Sequence, residues 1–276
     1  MIEKTKLEDF QKRAKNVRKN IVEMVYSAKS GHPGGSLSIT DILVALYFSE
    51  LRINVKNPKD ENRDRVVLSK GHCSPALYSV LAEKGFIPEA DLKTFRKIDS
   101  YLQGHPDMKK IPGVDMTSGS LGQGLSVSNG MAIAGKLDNK DYRVYCILGD
   151  GEIEEGQVWE AAMSSSHYKL DNLCLIVDNN NLQIDGKVTD IMNVYPIDEK
   201  FKSFGFNVIN IDGHNIEELI NAFEEAKKTK GKPTAIIANT IKGKGVSFME
   251  NNAGWHGKAP SEEEYKLAMK ELGGAV

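Results

Sequence analysis

The sequence predicts an α/β fold, a mostly parallel sheet with helices on both faces, from two observations. Short apolar runs rich in β-branched residues and bounded by turn formers recur as VVLS (66–69), VYCILG (144–149), LCLIVD (173–178), NVINI (207–211) and TAIIAN (234–239). Helical patterns such as EEGQVWEAAMSSSHYK (154–169) and NIEELINAFEEAKK (215–228) lie between them. Strand and helix in alternation imply parallel pairing through right-handed crossovers. Ligands then bind outside the carboxyl ends of the strands.

The remaining elements follow in chain order. Phe10, Ala14, Val17, Ile21, Met24 and Ala28 recur at spacings of four and three, which is one face of an amphipathic helix over 7–28. The stretch SGHPGG (30–35) stops it. Thr40 or Asp41 is expected to cap a second helix, ILVALYFSEL, whose dense apolar content predicts burial on most sides. Residues 85–115 carry Pro88, Pro106 and Pro112 and read as a long connection that lines a site. KLAMKELGGAV reads as a closing helix and tail. There is no internal repeat, and the expectation is one domain over residues 1–276 with one continuous core.

Composition narrows the function. With 36 Lys and Arg against 38 Asp and Glu, no overall field gathers nucleic acid or an anionic membrane. No run approaches the ~18 apolar residues of a membrane span, and the charged start MIEKTKLEDFQKRAK is unlike a signal peptide, so a cytoplasmic protein is expected. Cys73, Cys146 and Cys174 are unevenly spaced and read as structural, without a disulfide framework or a zinc site.

The chemistry begins where VYCILG ends, at Gly149-Asp150-Gly151-Glu152. Glycines flanking an aspartate allow close backbone approach to a ligand, although the tripeptide alone is equally an ordinary turn. The next strand ends in Asp178-Asn179-Asn180-Asn181, and parallel strands joined by one helix bring these two ends to the same sheet edge. Asp150 and Asn180 can therefore meet. One carboxylate, one amide oxygen and a main-chain carbonyl make a hard oxygen site suited to Mg²⁺ or Ca²⁺ and unsuited to Zn²⁺. The helix expected from about Glu154 would turn its amino end toward phosphates.

Gly149-Asp150-Gly151 followed by Asn180 in VDNNNLQIDG resembles the thiamine-diphosphate signature of transketolases. SGHPGG (30–35), LSKGHCSPALY (68–78), QGHPD (103–107), TSGSLGQG (117–124) and AGWHG (253–257) resemble further family segments in the same order, together spanning nearly the whole chain. The resemblance implies that Asp150, the Asn180 side chain and the Leu182 carbonyl hold the metal and that the Gly151 amide meets the diphosphate. It also implies that Gly119 and Leu121 meet the aminopyrimidine, and that Glu155 and Glu160 face a neighbouring subunit and link two cofactor sites. Of six histidines, His32, His72, His105 and His256 lie beside glycine in matching segments. By resemblance His72 and His256 stand near the diphosphate, and His32 and His105 face substrate hydroxyls, where a neutral imidazole can accept and return a proton. His167 and His214 match nothing and read as structural. Lys242 and Lys244, in IKGKG, resemble a loop at the site mouth but read as a solvated pair.

In the family, the carboxylate that activates the aminopyrimidine and the residues that grip a sugar phosphate follow in a second domain. Here the sequence ends at Val276 with no second βαβ series, so the resemblance implies the split, two-gene form. The expected assembly is a homodimer within an α₂β₂ heterotetramer, completed by a C-terminal transketolase subunit. The expected activity is transfer of a two-carbon ketol unit between sugars or sugar phosphates, with thiamine diphosphate and Mg²⁺ or Ca²⁺. Two alternatives remain: the α subunit of a thiamine-dependent 2-oxo acid dehydrogenase, and a non-catalytic cofactor-binding subunit.

Overall fold

A computed structural model describes residues 2–274. In chain order it contains α1 (Lys4–Ala28), α2 (Pro33–Ser38), α3 (Thr40–Ala45), β1 (Arg65–Leu68), α4 (Ser74–Lys84), α5 (Gln123–Leu137), β2 (Val144–Gly149), α6 (Gly156–His167) and β3 (Leu173–Asn179). It continues with α7 (Val188–Ile191), α8 (Ile197–Ser203), β4 (Asn207–Asp212), α9 (Ile216–Lys228), β5 (Thr234–Asn239) and α10 (Glu262–Glu271). All five expected strands form, pair in parallel and lie in the order β1-β2-β3-β5-β4.

Successive strand residues alternate between two cores, as the two-residue period of a sheet requires. Tyr145 and Ile147 of β2, Cys174 and Ile176 of β3 and Ile236 of β5 point into a core shared with α1, α3, α4 and α9. Val144, Cys146 and Leu148, Leu173, Leu175 and Val177, with Ala235 and Ile237, point into the other, against α5, α6 and α8. The single core expected from the sequence is thus two, divided by the sheet. Each fully buried Leu, Ile or Val contributes about 1.5–3 kcal/mol. The three cysteines are free and buried.

The long first helix buries Phe10, Ala14, Val17, Ile21 and Met24, with Ala28 only partly covered at its end. It also buries Arg18, which shares the buried face with Ala14 and Val22, for an electrostatic reason. Arg18 donates to both Asp41 oxygens (3.2 and 2.6 Å) and through Nε to the Lys244 carbonyl (3.0 Å). His214 completes the brace, with Nδ1–H on Asp41 Oδ2 (2.7 Å) and Nε2 accepting the Ile241 N–H (2.8 Å). Burial opposes ionisation of Asp41, but the bonds from His214 and Arg18 outweigh it and hold the carboxyl below its usual range. His214 is therefore structural, and it fixes the entry of the 241–245 loop. His167 lies exposed at the end of α6 against Tyr168.

Two local expectations are corrected. SGHPGG does not only break a helix: Pro33, with its φ preset and no N–H to satisfy, starts α2. Neither Thr40 nor Asp41 caps the next helix. Ile39 precedes it, Thr40 Oγ1 donates back to Ser36 O (3.1 Å), and Asp41 is committed to Arg18 and His214. That helix widens over Leu46–Glu50, where the Leu51 N–H reaches Leu46 O at 3.0 Å. Residues 85–115 are irregular apart from one tight turn of helix at Glu89–Thr94, and closing helix α10 ends before the last residues of the tail, of which 275 and 276 lie outside the described residues. Among the described residues no helix is long and apolar enough to cross a membrane.

Candidate active site

Parallel pairing sends the carboxyl ends of β1, β2, β3 and β5 to one edge. A cleft of about 250 Å³ opens there. Gly149 of β2 lies opposite Asp178 of β3, and Asp178 lies opposite Ala238 of β5. The loops that follow these positions carry Asp150, Asn180 with Leu182, and Lys242.

Asp178 is the centre of this edge. Its carboxylate is fully buried and accepts from the Lys70 ammonium, Ser38 Oγ (2.6 Å), Asn180 Nδ2 (2.9 Å) and Thr240 Oγ1. Burial opposes its charge, but Lys70 outweighs that cost and keeps the carboxyl below its usual range. The same pairing raises the Lys70 ammonium against its own desolvation. Glu152, just past the end of the adjacent strand β2, has a similar role. It is buried, accepts from Ser69 Oγ, and takes the N–H groups of Gly122 (2.9 Å) and Gly149 (3.1 Å). Gly122 has φ +79°, a left-handed conformation that glycine adopts without penalty, and this turns the 117–122 loop so that Gly119 and Leu121 line the cleft.

Asp150 is buried, with Oδ1 accepting the Gly151 N–H (2.8 Å) and Oδ2 the Asn181 N–H. Burial, then the nearby Asp178 charge, pushes its carboxyl up to about 7. A buried carboxylate in that state favours a cation beside it. Asn180 Oδ1 accepts the Leu182 N–H at 3.1 Å, while the Leu182 carbonyl accepts from the Lys242 ammonium at 3.0 Å. Carboxylate, amide oxygen and carbonyl all line one cleft, and a cation already rests on one of them. This donor set fits a hard divalent ion. The Gly151 N–H is bonded to Asp150 here, so its use by a diphosphate oxygen requires Asp150 to turn toward the ion.

Three histidines line the same cleft as a triangle, with ring centroids 5.1 Å apart for His32 and His72, 5.4 Å for His32 and His256, and 5.2 Å for His72 and His256. His256 Nδ1 lies 3.1 Å from the Lys242 ammonium. Burial, then Lys242, brings His256 down to about 3; burial, then Arg96, brings His32 down to about 4; burial and Lys70 hold His72 well below its ordinary value. All three are neutral at pH 7, and His32 Nδ1 is buried without a partner. His105 stands apart from the triangle, packed against Gly119, where an added Cβ would lie 3.3 Å from its ring.

Two expectations change. Lys242 is not solvated: it is 3% exposed inside the cleft, while Lys244 is half-buried beside Glu250 at 3.6 Å. The amino end of α6 does not line the cleft; a tight turn at Glu152–Glu154 intervenes, and Glu155 is an exposed residue before Gly156. Glu160 is exposed on the same helix. Lys70, Asp178 and Glu152 organise the site, yet nothing in the sequence assigns them that role. Their signal is position alone, each at or just past the end of an apolar run.

The sequence matches the family described as "Transketolase, thiamine diphosphate binding domain" over residues 10–275. The chain belongs to the transketolase family. It is 46% identical over 264 residues to the 6-deoxy-6-sulfo-D-fructose transketolase subunit SqwG of Clostridium sp. (strain MSTE9), covering 96% of both chains. It is 44% identical over 266 residues to an apulose-4-phosphate transketolase subunit of Phocaeicola vulgatus, covering 96% of this chain and 94% of that one. The transketolase of Campylobacter jejuni superposes with a TM-score of 0.91 at 39% identity, covering 96% of this chain and 43% of that longer one. This transketolase chain is thus a thiamine-diphosphate-binding transferase subunit, similar over nearly its whole length to proteins named as subunits.

Asp178→Asn should leave the Lys70 ammonium buried without its countercharge and cost about 3–5 kcal/mol. Urea denaturation of the two proteins measures this, and a loss below about 1 kcal/mol would remove Asp178 from the centre of the edge.

Proposed function

We propose that the chain, as one domain over residues 1–276, is the N-terminal subunit of a split transketolase. With a C-terminal partner it moves a two-carbon ketol unit from a ketose to an aldose, as sugars or sugar phosphates, in the cytoplasm. The observation that carries this reading is the meeting, in one cleft, of an oxygen donor set with three neutral imidazoles. The subunit names of the relatives support the need for a partner.

Asp150, the Asn180 side chain and the Leu182 carbonyl hold Mg²⁺ or Ca²⁺, and the Gly151 amide takes a diphosphate oxygen. Gly119 and Leu121 meet the aminopyrimidine. Thiamine diphosphate, when bound, supplies the carbon centre that accepts and releases the two-carbon unit. Lys242 yields the Leu182 carbonyl to the metal. His72 and His256 lie with the diphosphate, where neutral rings add no charge to compete with the ion. His32 and His105 take a proton from a sugar hydroxyl and return it as the carbon–carbon bond breaks and forms.

A homodimer through α5 and α6 belongs to the proposal. Val127 and Met163 are exposed there, and a Cβ added at Gly130 or Gly156 would meet nothing within 4 Å among the described residues. Glu155 and Glu160 lie on this surface, available to a second copy. Two partner subunits then complete an α₂β₂ assembly.

Asp150→Ala should abolish cofactor binding in the assembled enzyme, measured by calorimetry, because it removes the one carboxylate assigned to the ion. His105→Ala should lower turnover by about 10²-fold or more while leaving cofactor affinity near wild type; a fall in affinity instead would move His105 to the cofactor. The isolated chain, given saturating cofactor and metal, should show no ketol transfer, and adding the partner should restore it. Full activity from this chain alone would sink the split-enzyme reading.

A further inference from the structure

Arg96 is a cation without a countercharge among the described residues. It sits in the long connection between α4 and α5, in the left-handed region at φ 59°, its own N–H bonded to Leu102 O at 2.8 Å. Its guanidinium packs against Gly104. A Cβ added to that glycine would fall 2.6 Å from Cζ and Nη2, so a side chain there would displace the guanidinium. The Arg96 Cζ is also 5.5 Å from the Phe95 ring, and Phe95 in turn packs against Gly31, where a Cβ would lie 3.3 Å from its edge. The charge therefore packs against the residue that precedes His105, while the neighbouring Phe95 ring reaches the residue that precedes His32.

A half-buried arginine such as this ordinarily donates to a carboxylate or a carbonyl. Here no hydrogen bond or ion pair reaches the guanidinium among the described residues, and Nε is buried without an acceptor. An ion pair presents its neighbours with a dipole whose two ends largely cancel; an unpaired charge is not cancelled in this way, and partial burial leaves less water to screen it on the protein side.

We propose that Arg96 is a positioning residue whose unpaired guanidinium adds to burial in holding the imidazoles of His32 and His105 in the neutral form, so that each can accept a proton from a substrate hydroxyl. This rests on the reading of His32 and His105 as substrate-facing. The charged and titratable groups acting on the two rings all push the same way. After burial, His32 is lowered by Arg96, His105 and Lys242, with His72 and His256 as ring neighbours. His105, after burial, is lowered by Arg96 alone. No carboxylate appears among these influences, so removing Arg96 removes the main charge acting on His105.

The sign follows from that. A base that works in its neutral form loses activity below its pKa; without Arg96 that pKa rises, and the acidic limb of the pH profile moves to higher pH. Histidine NMR titration of the full chain, with six imidazoles to resolve, measures this directly. Arg96→Gln should raise the His105 titration by about one pH unit, with a smaller rise for His32, and Arg96→Lys should restore the wild-type value. In the assembled enzyme the acidic limb of kcat/KM should rise by a similar amount in Arg96→Gln, so that the variant loses up to about 10-fold more at the foot of the limb than at its plateau. Should Arg96→Gln fail to fold, Gly104→Ala, which displaces the guanidinium without deleting it, should move His105 in the same direction. An unchanged His105 titration in the folded variant overturns the inference. Absence of ketol transfer by the wild-type assembly would instead overturn the functional reading, and the titration would still decide the role of Arg96.

Discussion

The carboxylate of Asp178 is the constraint on which the catalytic edge depends. A fully buried charge is costly, and here four donors from four segments offset the cost: Lys70 after β1, Ser38 of α2, Asn180 after β3 and Thr240 after β5. Each donor fixes the loop that carries it. Lys70 places the segment bearing His72, Ser38 anchors the helix that follows His32, Asn180 is itself a metal-ligand candidate, and Thr240 opens the loop bearing Lys242. The central strand end thereby orders four neighbouring loops through one side chain. A neutral residue of the same shape would leave Lys70 uncompensated in the interior.

The second constraint is the balance of charge within the cleft. Lys70 and Lys242 are both buried, and burial followed by the field of Lys70 lowers the Lys242 ammonium. Lys242 rests on the Leu182 carbonyl and close to His256, so the place assigned to a divalent ion is one where the fold already accepts positive charge. The imidazoles around it stay neutral because burial, and then the neighbouring positive charges, disfavour their protonation. Neutral rings accept and donate hydrogen bonds without repelling an ion, which makes the His32, His72 and His256 triangle compatible with a metal and a diphosphate should they be held in the same cleft.

Much of the fold was legible because sheet periodicity is a local property. The five apolar runs became the five strands within one or two residues, since β-branched residues between turn formers have few other low-energy arrangements. Helix α9 was equally plain, with Asn215 accepting the N–H groups of Glu217 and Glu218 at its start. The misreadings share one cause. Thr40 and Asp41 looked like caps and Lys242 like a solvated charge because a polar residue shows its chemical type in the sequence but not its partner. Asp41 found Arg18 and His214, 23 and 173 residues away. Lys242 found Leu182, 60 residues away, and was drawn into the interior with it.

By itself the sequence determined the alternation of strands and helices, the sheet edge on which Asp150 and Asn180 emerge, and the glycine-flanked histidines whose ordered segments mark the family. Those features depend on local propensity and on which residues occupy strand ends, so they survive being read in one dimension. Tertiary structure alone decided the strand order, the division of the interior into two cores, the gathering of three histidines into a triangle with His105 apart, and the pairing of Lys70 with Asp178. It also left Arg96 without a carboxylate among the described residues. The physical reason is that burial and electrostatic partnership are sums over neighbours in space, and for buried charges those neighbours are distant in the chain.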